Sequence, residues 1–211
     1  MPSRTWLIPV AAAVGIALLI SGINPHERST WLMEVAPVLA VFPLLIVTGR
    51  RFPLTSLLYL LIAAHAAILI LGGAYTYARV PLGAWVQEWL DLSRNPYDKL
   101  GHLAQGLVPA LAARELFVRR EVVRGRSWIG VLAVAVALSV SLLYELVEWA
   151  AALMLGQGAD AFLGMQGDPW DTQSDMGMAL LGALCAVVLL AGIHDRQLAR
   201  MSRPVSHGEA G

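Results

Sequence analysis

The chain has 211 residues, of which 57% are apolar and only 14% charged, where an ordinary soluble domain carries roughly a quarter charged residues. Its 15 basic and 15 acidic residues cancel, so nothing in the charge balance supports a nucleic-acid partner. One cysteine, Cys185, excludes an internal disulfide framework, and the length accommodates one domain and no second.

A helix that crosses the hydrocarbon core of a bilayer needs about 20 mostly apolar residues. Six stretches meet that need in chain order: Trp6–Ile23, Trp31–Thr48, Leu54–Ala74, Leu100–Val118, Ser127–Ala150 and Ser174–Ile193. The first follows Arg4 and resembles a signal peptide, but its small-residue pattern, Ala11 to Ala13, falls inside the stretch, so it reads as a retained helix. The expected fold is all-α: a bundle of six transmembrane helices over residues 1–195, with 196–211 as a short, frayed cytoplasmic tail carrying Pro204 and Gly208.

Between the third and fourth spans, Leu82, Trp85, Val86 and Trp89 recur at helical spacing, with Gln87, Glu88, Asp91 and Arg94 on the other face. That pattern fits a short amphipathic helix in the outer interface, or a structured loop packed on the bundle. Pro37 and Pro43 in the second span and Pro109 in the fourth are expected to bend their helices. In the last span Ala179, Gly182, Ala183 and Ala186 allow close helix packing.

Lys and Arg set the expected orientation. Arg4, Arg50, Arg51, the group from Arg119 to Arg126, and Arg196, Arg200 and Arg203 fall on one side. The other side has only Arg28, Arg79, Arg94 and Lys99. Both termini are therefore expected in the cytoplasm, as in a multi-pass protein of the bacterial inner membrane. Trp31, Trp85, Trp89, Trp149 and Trp170 mark the outward interface.

Ionisable groups in spanning helices are costly and each needs a reason. Asp98 and His102 open the fourth span, Glu145 and Glu148 lie near the outer end of the fifth, and Asp168, Asp171 and Asp175 lead into the sixth. All share one predicted depth. The four-residue spacing of Asp98 and His102, and of Asp171 and Asp175, puts each pair on one helical face. Asn95 and Pro96 read as a helix start with Asp98 favoured by the helix dipole, and Asp171 or Thr172 as a cap, so each of these also has a purely structural explanation. Glu145 and Glu148 have none, because a carboxylate at a helix C-terminus opposes the dipole.

Together the carboxylates and one imidazole form an oxygen-rich pocket suited to a divalent cation such as Mg²⁺, Ca²⁺, Mn²⁺ or Zn²⁺, or to acid–base chemistry without a metal. The expected metal ligands are Glu145, Glu148, Asp171, Asp175 and His102. The expected catalytic groups are His102, oriented by Asp98, and Glu145. Lys99 is placed to bind a phosphate or carboxylate, with Trp170 and Asp168 beside the substrate. Gly156, Gly158, Gly164 and Gly167 let the preceding loop fold over the pocket, and Asp160 within it reads as solvated. His65, mid-span, reads as a buried hydrogen-bonded residue, and Glu34 as a helix cap or a further member of the cluster.

Asp98-Lys99-Leu100-Gly101-His102, the run from Tyr144 to Trp149, and the run from Gly167 to Met176 together resemble the YjdF-like family of bacterial inner-membrane proteins, over most of the chain. More distantly, Asp98, Lys99 and His102, with Asp171, Gly177 and Gly182, are similar to the VanZ-like membrane proteins, a family linked to glycopeptide resistance. Asp175 stands where that family tends to carry Asn. Neither resemblance implies a reaction. The expected function is a metal- or acid–base-dependent membrane enzyme at the outer face, acting on membrane lipid or a lipid-linked envelope precursor. The alternatives are a non-catalytic scaffold and a cation- or proton-coupled transporter. The inner halves of the helices read as almost entirely apolar, which counts against transport.

Overall fold

The computed structural model describes residues 5–155 and 166–202, and these are mostly helical with no strand among them. In chain order they form α1 (Leu7–Ser21), α2 (Arg28–Thr48), α3 (Ser56–Tyr75), a 3₁₀ turn (Tyr77–Arg79), α4 (Pro81–Trp89), α5 (Tyr97–Arg119), α6 (Arg126–Leu155), α7 (Asp171–Val188) and α8 (Ala191–Ser202). Gly156, Gly158, Asp160, Gly164, Pro204 and Gly208 lie outside the described residues.

α2, α3 and α6 are each long and apolar enough to cross a membrane. α7 and α8, bent by 53° at a short break, make a fourth span if counted together. The continuous sixth span expected from Ser174 to Ile193 is thus broken at Leu189 and Leu190. The tail beyond it does not fray at once: α8 runs to Ser202 and buries His194 and Leu198. α1 is apolar but short, and α5 combines Asp98, Lys99, His102, Arg114 and Glu115 with its apolar residues.

α5 occupies the centre, packed on α3, α6 and, most closely, α7, while α3 carries α1 and α2 on its far side. Small residues explain the α5–α7 approach. A Cβ on Gly106 would overlap the Ala179 carbonyl, and one on Gly182 would overlap the Leu103 carbonyl. Ala179, Gly182, Ala183 and Ala186 are all buried there, as their spacing predicted. This backbone contact sets the N-terminal turns of α5 and α7 side by side.

Large apolar side chains cover the outside, among them Leu19, Val47, Leu143 and Val188, each at least half exposed. In water such a surface would be an aggregation liability, whereas lipid is its natural solvent. α4 is a helix, as one of the two readings of its pattern expected, and presents Trp85 and Trp89 outward while Gly83 tucks under Asn95.

At the Arg51 end of the bundle lies a buried ionic network that the sequence reading missed, so the inner halves are not wholly apolar. Glu115, fully buried, accepts hydrogen bonds from the Thr55 backbone and hydroxyl, from Arg119 at 2.9 Å, and from His194 Nε2 at 3.0 Å. Arg114 donates to His194 Nδ1 at 3.0 Å and to Asp195 at 2.5 Å. Because the guanidinium only donates, His194 Nδ1 accepts, and the ring proton sits on Nε2 facing Glu115.

Candidate functional site

The site begins with two loops that hold each other. The Asn95 backbone N–H donates to Gln166 Oε1 at 3.0 Å, and Gln166 Nε2 donates back to the Asn95 carbonyl at 3.0 Å. Asn95 Oδ1 accepts from the Tyr97 N–H, so Asn95 does start α5, one residue earlier than a formal cap. This clasp brings Arg94 against Asp168 at 3.6 Å and into a close ion pair with Asp171. Burial disfavours the Arg94 charge, but the Asp171 hydrogen bond outweighs it and holds the guanidinium protonated above its ordinary range.

Asp171 does not cap α7. It is buried and shared between Arg94 and Lys99. Lys99 Nζ reaches Asp171 at 2.8 Å, Asp175 at 2.6 Å and the Ser174 hydroxyl at 2.5 Å. All three ammonium protons are therefore committed inside the protein, and the expected role of Lys99 in binding an external phosphate is replaced by neutralising two aspartates.

His102 sits one turn into α5 and is buried. Its Nδ1 lies 3.0 Å from Gln105 Oε1, and its Nε2 faces Asp98 at 3.5 Å and Asp175 at 3.8 Å. One ligand atom from each of Asp98, His102 and Asp175 fits within 4.8 Å of the others, close enough for a single cation to draw them together. Two carboxylates and an imidazole form a donor set suited to Zn²⁺, Mn²⁺ or a harder ion.

Of the expected metal ligands, His102 and Asp175 belong to this group and Asp98 joins them. Asp171 is occupied by Arg94 and Lys99. Glu145 lies 3.8 Å from His102 Nδ1, with its Oε1 buried and lacking any hydrogen-bond partner. Glu148, one turn further along α6, lines a cavity instead. Trp170 is 68% exposed and Asp168 caps the turn before it, accepting from the Trp170 N–H at 2.9 Å.

Sequence reasoning underused four residues here: Gln105, Arg94, Glu34 and Tyr144. The Tyr144 hydroxyl donates to Glu34 Oε2 at 3.0 Å across 110 residues of chain. The cap of α2 is Glu27, which accepts from the Ser29 and Thr30 N–H groups, so Glu34 joins the cluster. His65 also differs from expectation, because its buried Nε2 has no hydrogen-bond partner and it lines the same cavity as Glu148.

That cavity, about 960 Å³, runs from the polar layer toward Arg50. α2 forms one wall and α6 part of another, the two barely touching, with α3 and α5 between them and α1 at the Arg50 end. Its polar end carries Glu34, Asp98, His102, Tyr144 and Glu148, and its length is lined mostly by Val, Leu, Ile and Ala.

These features define an all-α membrane protein with a buried carboxylate–histidine layer above an apolar cavity. The chain belongs to the family described as "Predicted membrane protein (DUF2238)", whose model matches residues 7–196. It is 62% identical over 190 residues to "Inner membrane protein YjdF" of Escherichia coli (strain K12), covering 90% of this chain and 91% of that protein. These matches bear out the YjdF-like resemblance and do not show one to the VanZ-like proteins. No solved structure matches.

Proposed function

We propose that the protein is an inner-membrane enzyme whose Asp98–His102–Asp175 group, with a divalent cation or directly as an acid–base set, acts on a lipid or lipid-linked envelope substrate. The observation that carries this reading is the cavity, whose apolar length ends on His102 and three carboxylates. A lipid chain along the cavity would hold its polar head at the reactive groups. Where a cation binds, it supplies Lewis-acid activation. Without one, His102, its Nε2 held between Asp98 and Asp175, is the group that gives or takes a proton.

The bundle crosses the membrane six times in this reading. α5 spans despite its charges because Asp98, His102, Arg114 and Glu115 are buried against neighbours while Leu100 and Leu116 face outward. At about 1.5 Å per residue its 23 residues reach across the hydrocarbon core. Both termini are cytoplasmic by the Lys and Arg asymmetry, which turns the polar layer outward. α4 then lies in the outer interface with Trp85 and Trp89 in the lipid.

A transporter is the second reading, supported by the length of the cavity and by His65 partway along it. The inner ionic network counts against it, because its members bind one another and none of Glu115, His194 and Asp195 lines the cavity. Complementation tests the enzyme reading. A deletion strain should regain its phenotype with the wild-type gene and not with His102→Ala or Glu145→Ala, at equal protein levels. Full rescue by both variants would end it.

A further inference from the structure

We propose that the cavity binds an amphiphile with an amine-type cationic headgroup, its ammonium held among Glu34, Asp98 and Glu148 and its hydrocarbon chain along α2 toward Arg50. This rests on the lipid-handling reading above and specifies the class of head.

Shape comes first. From Glu34 to Ile46 the cavity follows 12 residue steps of α2 (46 − 34 = 12), about 18 Å at ~1.5 Å per residue, and it continues past the helix end to Arg50. Val38, Val41 and Leu45 line that length, so a hydrocarbon chain replaces water there favourably. A small inorganic ion would satisfy the polar end and leave the apolar volume unused.

Charge decides the head. Three carboxylates line the polar end, and His102 is the one basic side chain beside them among the described residues. Arg94 and Lys99 stand nearby but point away, into Asp168, Asp171 and Asp175, and neither lines the cavity. A phosphate head at this end would therefore meet three acidic side chains, because the one arginine lining the cavity, Arg50, lies at its opposite end. An ammonium would donate charge-assisted hydrogen bonds to the same groups. The rings of Tyr77 and Tyr144 border this end and favour a cation as well.

The test uses purified full-length protein in a neutral glycoside detergent and three probes of equal chain length: dodecylamine, dodecyl phosphate and dodecanol. Binding is read by native mass spectrometry and by the shift in thermal midpoint. The expected result is saturable dodecylamine binding at least about tenfold tighter than either other probe, a ratio equal to ~1.4 kcal/mol. The double variant Glu34→Gln, Glu148→Gln should bring that ratio close to one. Val41→Trp, which fills the cavity from a wall position already 37% exposed, should abolish binding of all three.

Equal binding of phosphate or alcohol to wild type overturns the headgroup inference and leaves the lipid cavity standing. Binding that Val41→Trp leaves intact, or no binding of any probe, overturns the lipid-handling reading with it. The three-probe comparison on wild type needs no variant to fold.

Discussion

His102 Nδ1 lies 3.0 Å from the side-chain oxygen of Gln105, three residues further along α5. An amide oxygen only accepts, so Nδ1 carries a ring proton and Nε2 is left facing Asp98 and Asp175, where a proton or a cation bridges the ring to the carboxylates. Gln105 thus does for His102 what a supporting hydrogen bond does for many metal-binding or proton-accepting imidazoles.

Gln105→Leu keeps the volume and removes that acceptor. Divalent-cation affinity, measured by calorimetric titration with Zn²⁺ and Mn²⁺, should fall about 10- to 100-fold. The metal-free thermal midpoint should move little. Unchanged affinity would show that the amide does not orient the ring.

Gly182→Val should be the most damaging single change in α7, because even its Cβ would overlap the Leu103 carbonyl. Overpacking of this kind costs roughly 1–3 kcal/mol or more. Gly177→Ala, on the same helix with open space at its Cβ, is the matched control and should be silent. Size-exclusion profiles after stepwise heating distinguish the two.

Glu115→Leu strands His194, Thr55 and Arg119 at once. Removing one member of a buried charge network costs about 3–5 kcal/mol, so the thermal midpoint should drop well below wild type. Asp195→Asn, at the half-exposed rim of the network, should cost much less.

Glu27 caps α2. Partial burial pushes its carboxyl up, but hydrogen bonds from Ser29 and Thr30 outweigh that and hold it down at about 2. Its folded value lies below its ordinary 4.5, so its contribution is complete above that pH and fades as pH falls toward 2. Glu27→Ala should cost roughly 1 kcal/mol at neutral pH. The gap between the two proteins' thermal midpoints should narrow between pH 5 and pH 3.

The helices that face lipid were the most legible in the sequence, because α2, α3 and α6 are apolar over a membrane's width. The local pairs were legible too: Asp98 with His102, and Asp171 with Asp175, each follow from four-residue spacing. What stayed hidden was pairing across the chain. Arg94 lies 77 positions from Asp171 (171 − 94 = 77), and Glu34 lies 110 from Tyr144, distances at which periodicity carries no information. Arg114 and Glu115 likewise lie about 80 positions from His194, and the bend between α7 and α8 sets His194 against them.

The central claim is that the Asp98–His102–Asp175 group acts chemically on a lipid held in the cavity. The most direct measurement is time-resolved mass spectrometry of an envelope lipid extract incubated with purified wild type, His102→Ala or Asp175→Asn. The account predicts a lipid species consumed by wild type and untouched by both variants. Identical lipid profiles with all three proteins, each folded and each supplied with divalent cations, would contradict it.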